Sequence, residues 1–398
     1  MMLMASTQNG SKARKLTPIA TLIAAISGMV GSGWLLGPFH AASIAGPASI
    51  LSWLIGGLLM LVIAYTFVML VRIAPLSGGS IRFLQLSHGH FAGFTFSWIA
   101  WIAWIAVTPI EVMAVIQYCN IYFPSLMQQQ QGIAVLSHTG LEMAIVLMVV
   151  MYFINIKGIQ VLSRANYLMV VLKLCVPLAT FFILITQHFS FSNFSGQHGF
   201  APMGYAAVLA ALPTAGVIYS FVGFNPAIQL ASEIKNPGRT IPFAVFGAIL
   251  ICIVLYTGLQ IAFIGALPSA SFAEGWQHLH FHGDTGPFAG LVMAFGFSWF
   301  VKLLYADAVV SPLGTAMVQA AATGRMTYAM AQSGYLPKSL QALNPKQSPS
   351  LALSFNVLIG LLFFLPFPSW QKMVGFLVSC LVLGYVVGPI SLLTLSRA

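Results

Sequence analysis

The chain has 398 residues, of which 59% are hydrophobic and only 6% are charged. Because about a quarter of the residues in a soluble domain are charged, this composition excludes an ordinary soluble protein. Apolar runs of about 20 residues, each long enough to cross a bilayer, recur along the whole length and indicate a polytopic membrane protein.

The formal net charge of +10 could suggest a nucleic-acid partner, but its distribution indicates a membrane topology instead. With a cytoplasmic N-terminus, the opposite side of the membrane keeps only Lys372. This is the positive-inside pattern, so the lipid bilayer and not nucleic acid is the expected partner, in a bacterial inner membrane. The basic residues assigned to the cytoplasmic side are Lys12, Arg14, Lys15, Arg72, Arg82, Lys157, Arg164, Lys235, Arg239, Arg325, Lys338, Lys346 and Arg397.

Ten spans are predicted after a cytoplasmic tail at residues 1–17, and they form a single all-α transmembrane domain at residues 18–398. Five spans fall in each half, and an odd number gives the halves opposite topologies. Residues 18–186 and 205–398 are therefore predicted to form two inverted repeats. The eighth span is too long for one simple crossing and is expected to bend near Ser311–Pro312. The predicted spans are residues 18–43, 47–73, 92–123, 133–154, 165–186, 205–231, 241–265, 287–332, 350–366 and 373–395.

The first span is interrupted by glycines at 28, 31, 33 and 37 and by Pro38. Glycine and proline weaken a helix, and backbone groups freed inside a membrane must face protein or a water-filled cavity. Unwinding at Gly31, Ser32 and Gly33 would point N–H groups at such a cavity, where they and the Ser32 hydroxyl could bind a carboxylate. The alternative is that the small residues only allow close helix packing.

The sixth span has a second interruption at Phe221–Pro226. Paired breaks in two halves of a membrane protein are typical of a substrate site near the midplane of a secondary transporter. The carbonyls around Tyr219, Phe221 and Val222 would suit an ammonium group. The rings of Phe221 and Phe224 could gate the site or make cation–π contacts, or they could simply pack.

Three ionisable residues lie deep inside predicted spans and are candidates for proton coupling: Lys173, Glu111 and Asp307. Lys173 lies about nine residues inside its span, roughly 13 Å at the helical rise, which argues against snorkelling to an interface. A lysine removed from water can change its protonation state and could carry a proton. Asp307 could instead form an ion pair with Lys302, although their five-residue offset is poor for a helix.

The sequence predicts no metal, no cofactor and no enzyme. His278, His280, His282 and Asp284 alternate in an outer loop, but nothing fixes them as convergent metal ligands, so a polar loop is expected. There is no phosphate-binding G-x-x-x-x-G-K-[ST] motif for ATP-driven pumping. No nucleophile and base stand in an arrangement that would suit an intramembrane hydrolase.

The two breaks resemble the motifs of the amino acid–polyamine–organocation transporter family. Gly28–Leu35 (GMVGSGWL) resembles the family's first-span pattern G-x-I-G-S-G-I-F. Phe221–Asn225 (FVGFN) and Glu233–Pro242 (EIKNPGRTIP) resemble its sixth-span pattern. Asp307–Thr315 and Arg325–Pro337 are similar to the eighth span of the branch that includes aspartate–proton symporters.

This resemblance implies a LeuT-like fold with two inverted five-helix repeats, broken first and sixth helices, and alternating access. It also implies a role for each motif residue. Gly31, Ser32 and Gly33 would hold the substrate carboxylate, and Lys173 would take the place of a sodium ion. The substrate amine would be held by the carbonyls of Met29, Tyr219 and Val222, and Gly223 follows Val222 in the same binding segment. Gln319 would reach the substrate from the eighth span.

Two features depart from the family pattern. Asn225 stands where many members have an acid, so this position cannot change charge. Many members have twelve spans, whereas ten are predicted here, so the chain is either a short member or a truncated one. The sequence therefore predicts an amino acid importer driven by proton symport. The alternatives are an exchanger of amino acids or amines without net proton flux, and a non-transporting amino acid sensor.

Overall fold

The computed structural model describes residues 16–73, 79–130, 133–157, 159–195, 199–229, 231, 234–279, 286–367 and 369–397. The fold is mostly helical, as predicted, and a small antiparallel hairpin pairs Met127–Gln130 (β1) with Ile133–Leu136 (β2). The helices are α1 (Pro18–Met29), α2 (Ser32–Ala45), α3 (Ser49–Ile73), α4 (Gly79–Cys119), α5 (His138–Asn155), α6 (Ile159–Gln187), α7 (Ser192–Ser195), α8 (Tyr205–Thr214), α9 (Val217–Phe221), α10 (Asn225–Gln229), α11 (Pro237–Ala266), α12 (Pro287–Ala294), α13 (Ser298–Gln332), α14 (Ser350–Leu362), α15 (Trp370–Tyr385) and α16 (Val387–Leu395).

The length and composition of these helices agree with a membrane protein. Seven helical segments in the described ranges are long and apolar enough to cross a bilayer, and the bent pair formed by residues 205–214 and 217–229 would make an eighth. Two shorter apolar helices, α1 and α14, occupy the positions of the predicted first and ninth spans. The prediction of an α-helical integral membrane protein is confirmed.

The third predicted span begins earlier in the structure than expected. Helix α4 starts at Gly79, and the backbone of Gly89 (φ 82°, ψ −175°) interrupts it with a kink. A φ in this range is strained for a residue with a side chain, and glycine adopts it readily. The predicted start at residue 92 lies just beyond this kink, so the apolar pattern located only the second segment.

The sixth span is interrupted where predicted, and it also bends at a second place. The helix axis bends by 57° between residues 205–214 and 217–229, at Ala215 and Gly216, where Gly216 has a φ of 81°. The interruption expected at Phe221–Pro226 is a 3₁₀ turn at Val222–Phe224 that separates α9 from α10. Proline suits this position because it is the second residue of α10, where no intrahelical N–H partner is needed.

The eighth predicted span is also broken elsewhere. Helix α13 continues through Ser311 and Pro312, from Ser298 to Gln332, so the helix is not interrupted where a bend was expected. The chain breaks instead between α12 and α13, where Gly296 has a φ of 83°. A proline inside a membrane helix is tolerated when neighbouring helices supply partners for the freed backbone group.

Gly216 gives a testable prediction about the bend. An added Cβ would lie 2.7 Å from Cη2 of Trp370, and the positive φ is itself unfavourable for alanine. We expect Gly216→Ala to destabilise the protein by about 2–4 kcal/mol, because backbone strain and overpacking add together. Gly204→Ala is the matched control, since Gly204 has a φ of 75° but nothing within 4 Å of an added Cβ.

Thermal unfolding of the two variants in the same detergent would separate these contributions. The control should lower the melting temperature by the backbone term alone, which corresponds to about 1–2 kcal/mol. Equal melting temperatures for Gly216→Ala and Gly204→Ala would show that Trp370 does not restrict the bend.

The arrangement of the helices places the end of α1 in the interior. Helix α1 packs against α6, α11 and α13, and α13 packs along α4. Large side chains around this region are fully buried, including Trp34, Trp53, Phe221 and Phe224. The first break therefore lies within protein, as membrane-embedded irregular backbone requires.

Candidate functional site

The first break lies at Val30 and Gly31, between α1 and α2. The N–H of Gly31 bonds to the carbonyl of Met29 at 3.0 Å, so the carbonyl of Ser27 lacks the helical donor it would otherwise have. Gly31 has φ −130° and ψ −139°, and α2 begins at the next residue, Ser32. The structure thus places a helix interruption where the glycines predict one.

Side chains from neighbouring helices satisfy the carbonyls that the break frees. Nζ of Lys173 donates to the Ser27 carbonyl at 2.6 Å and to Oγ1 of Thr315 at 2.9 Å. Oγ1 of Thr315 lies 2.8 Å from the Ser27 carbonyl and 3.1 Å from the Val30 carbonyl, and Oγ of Ser311 donates to Val30 at 3.0 Å. Lys173 is fully buried, so its ammonium group sits at the break and not at an interface.

The carboxylate of Glu111 lies on the other side of the break. Its Oε2 accepts the backbone N–H of Ser32 at 2.8 Å, and its Oε1 accepts the Tyr219 hydroxyl at 2.5 Å. All three side chains are buried. An added Cβ on Gly31 would lie 2.5 Å from Oε1 of Glu111 and 2.7 Å from Oγ1 of Thr315. Glycine at this position therefore allows the carboxylate to reach the amide.

Two further side chains hold the broken segment. The hydroxyl of Tyr256 on α11 donates to the Met29 carbonyl at 2.9 Å. The indole N–H of Trp370 on α15 donates to Oγ of Ser32 at 2.9 Å. The first break is therefore held by hydrogen bonds from five helices: α4, α6, α11, α13 and α15.

In the sixth span, the backbone carbonyls of Tyr219 and Val222 were expected to be free to bind an ammonium group, but both already accept backbone hydrogen bonds. The carbonyl of Tyr219 accepts the N–H of Val222, and the carbonyl of Val222 accepts the N–H of Asn225. A carbonyl has a second lone pair and can still accept another donor. Tyr219 contributes to the site through its side-chain hydroxyl, which donates to Glu111. The sequence did not predict this contact.

The aromatic and amide side chains of this segment face other protein groups. The Phe221 ring packs edge-on against Trp53 and Tyr256, with ring centroids 6.1 Å and 5.3 Å apart. The Phe224 ring stacks on Tyr385 at 6.5 Å. Asn225 is buried close to the same tyrosine. These contacts favour the packing alternative for both phenylalanine rings.

Glycines from the two breaks also meet directly. An added Cβ on Gly28 would lie 2.5 Å from the Gly223 carbonyl oxygen, and one on Gly223 would collide with the Gly28 backbone. A Cβ on Gly33 would collide with the Ser220 side chain. Close packing, the alternative reading of these small residues, therefore describes Gly28 and Gly223, whereas Gly31 makes room for Glu111.

Asp307 and Gln319 are buried on α13, on either side of the residues that contact the break. Within the described part of the chain, neither the carboxylate oxygens of Asp307 nor the amide atoms of Gln319 form a side-chain hydrogen bond of good geometry. Asp307 is within electrostatic range of Lys173 and near the indole of Trp34. Lys302 is exposed, so the alternative ion pair between Lys302 and Asp307 is wrong.

Four residues that hold the break were not predicted as site residues: Ser311, Thr315, Tyr256 and Trp370. A signal existed for the first two, because polar residues recur every four positions along α13, a spacing that keeps neighbours on one face. This stripe consists of Asp307, Ser311, Thr315, Gln319, Thr323 and Thr327, all of them buried. Tyr256 and Trp370 have no comparable local signal, since aromatic residues are common in membrane helices.

Some predicted features lie outside the described residues. These are residues 1–15 of the predicted tail, Glu233 of the sixth-span motif, and His280, His282 and Asp284 of the loop cluster. Among the residues that the structure does describe, there is no group of three His, Cys, Asp or Glu side chains that could hold a metal ion.

Comparison with known proteins identifies the family. The family model described as amino acid permease matches residues 16–394. The glutamate/serine transporter of Bacillus subtilis is 37% identical over 388 residues, covering 96% of this chain and 71% of the relative. The aspartate–proton symporter of the same organism is 31% identical over 386 residues, covering 97% and 73%. A branched-chain amino acid permease, also from B. subtilis, is 25% identical over 385 residues, covering 93% and 79%. These relatives are transporters and not enzymes, and the chain belongs to the amino acid permease family.

Proposed function

We propose that this protein is a secondary active transporter that imports an amino acid together with a proton by alternating access. Residues 18–186 and 205–398 would be its two inverted repeats, in the bacterial inner membrane with the N-terminus in the cytoplasm. Support for the substrate class comes from the relatives, which are named as a glutamate/serine transporter and an aspartate–proton symporter.

The observation that carries the proposal is the pairing of donors and acceptors at the first break. The Ser32 amide and hydroxyl are donors suited to a carboxylate, and α2 behind them adds the positive end of a helix dipole. The carbonyl of Met29 lies at the same break, where it accepts from the Gly31 N–H and the Tyr256 hydroxyl, and an ammonium group would take the place of the Tyr256 hydroxyl. Donors and acceptors this close together suit a zwitterion, which is the form of an amino acid at neutral pH.

Lys173 is the residue proposed to couple transport to protons. Its Nζ joins the Ser27 carbonyl of α1 to the Thr315 hydroxyl of α13. Hydrogen bonds from a charged donor are roughly twice as strong as neutral ones, so losing the proton would weaken the link between these two helices. A protonation change at Lys173 would thereby bias the movement of α1 against α13.

Uptake by the purified protein in proteoliposomes tests this function. With radiolabelled L-serine, L-glutamate and L-aspartate outside, we expect one of them to accumulate when an inward proton gradient is imposed on substrate-free vesicles. Accumulation that requires substrate inside the vesicles would instead identify an exchanger. A ligand that raises the melting temperature without any measurable flux would identify a sensor and contradict transport.

A further inference from the structure

Glu111 occupies the donors that the substrate carboxylate is proposed to use. Its two oxygen atoms accept the Ser32 N–H at 2.8 Å and the Tyr219 hydroxyl at 2.5 Å. A backbone amide has a single hydrogen, so it cannot make a full hydrogen bond to Glu111 and to a bound substrate at the same time. A substrate carboxylate can therefore reach the Ser32 amide only after Glu111 has left it.

The two hydrogen-bond partners of Glu111 are neutral groups, as expected for a carboxylate that a ligand can displace. Within the described structure it forms no salt bridge, because the nearest buried cation, Lys173, donates to Ser27 and Thr315. Lys173 and Tyr256 act on Glu111 only through longer-range electrostatics. The carboxylate is therefore held directly by two neutral donors, and hydrogen bonds from neutral donors are weaker than those from charged ones.

Glu111 also joins the two interrupted segments. Ser32 begins α2, Tyr219 belongs to α9, and the Glu111 carboxylate on α4 bonds to both. Removing this carboxylate would release both segments at once.

We propose that Glu111 is an intramolecular competitor of the substrate carboxylate: it accepts hydrogen bonds from the Ser32 amide and the Tyr219 hydroxyl, and the substrate displaces it. This inference rests on the proposed function, because it needs a carboxylate-bearing substrate at the first break. The wild-type affinity then includes the cost of displacing Glu111, so the competitor limits how tightly an amino acid binds.

The replacement Glu111→Gln tests this role. Glutamine keeps the size of the side chain but removes the charge, which weakens its hold on the Ser32 amide and its repulsion of a second carboxylate. We expect the dissociation constant for the amino acid to fall roughly ten-fold. The decarboxylated amine has no group that competes for the amide, so its affinity should not increase.

The measurement is equilibrium binding to the full-length protein in detergent, with L-serine against ethanolamine, its counterpart without a carboxylate. Glu142→Gln is the matched control, because it makes the same replacement at an exposed residue of α5, away from the Ser32 amide that Glu111 accepts from. Tighter binding of the amino acid in Glu111→Gln but not in Glu142→Gln would support the competitor role. Equal tightening in both variants would mean that the effect comes from a general loss of negative charge, and this result would overturn the proposal.

Unchanged or weaker amino acid binding in Glu111→Gln would also overturn the proposal, and weaker binding of both members of a pair would show that Glu111 holds the substrate amine. Should Glu111→Gln fail to fold, Tyr219→Phe removes one of the two bonds that hold the carboxylate and should shift the affinity in the same direction, by roughly three-fold. No tightening in Tyr219→Phe would then count against the competitor. If the wild-type protein binds neither probe, the proposed function fails at this site, and the inference that rests on it fails with it.

Discussion

Lys173→Gln is expected to abolish proton-driven accumulation of the substrate while leaving the protein inserted in the membrane. The Lys173 ammonium joins the Ser27 carbonyl to the Thr315 hydroxyl and is fully buried. Glutamine can preserve a hydrogen bond but cannot gain or lose a proton. The expected loss is about 100-fold in gradient-driven accumulation, at the upper end of the coupling between two binding events. The measurement is uptake into proteoliposomes with and without an imposed proton gradient.

Lys302→Gln provides the matched control for this experiment, since Lys302 is exposed and lies on α13 near the buried Asp307. It removes the same charge from the chain without touching the first break, so gradient-driven uptake should stay within about two-fold of the wild type. Undiminished accumulation by Lys173→Gln would refute the coupling role. Loss of ligand binding together with loss of accumulation would instead indicate that Lys173 supports the shape of the site.

Gly31→Ala is expected to disable the site and to destabilise the protein. The new methyl group would lie 2.5 Å from Oε1 of Glu111 and 2.7 Å from Oγ1 of Thr315, so both buried side chains would have to move. Overpacking of this kind costs about 1–3 kcal/mol, and the displaced groups are the ones that hold the break. We expect uptake to fall at least ten-fold, since a cost of about 1.4 kcal/mol in forming the site already has that effect.

The control for this substitution is Gly375→Ala on α15, where an added Cβ would have no heavy atom within 4 Å. Alanine favours a helix by about 1 kcal/mol over glycine, so this variant should be at least as stable as the wild type and transport normally. Thermal unfolding and uptake assays on both variants make the comparison. Wild-type uptake by Gly31→Ala would show that the contact between Glu111 and the break is dispensable.

Features that depend on the local sequence were predicted, whereas some features that depend on helix packing were not. The helical membrane class, the interruption at Gly31 and the interior position of Lys173 were all predicted, because hydropathy, glycine spacing and depth within a span are local properties of the chain. The interruption predicted at Phe221–Pro226 is present as the 3₁₀ turn at Val222–Phe224. The additional breaks at Gly216 and Gly296, both glycines with positive φ, were not predicted, because the prolines at 226 and 312 marked the expected positions.

A proline is visible in a sequence, but its effect on a membrane helix depends on whether neighbouring helices satisfy the backbone group it frees. A glycine is equally visible, but its φ is set by the packing around it. At Gly216 that packing includes the Trp370 ring. The side chains on either side of a bend are therefore needed to decide which of several glycines and prolines forms it.

By itself the sequence determined the membrane class, the family and the presence of a broken first helix with donors suited to a carboxylate. The tertiary structure decided which groups meet that break. Ser32 contacts Glu111 across 79 residues of sequence and Trp370 across 338. Contacts at such separations arise only when helices pack, because no local sequence pattern specifies which distant side chain will hydrogen-bond to a given group. The packed helices bring a carboxylate of the protein itself to the amide at which the sequence predicts a substrate.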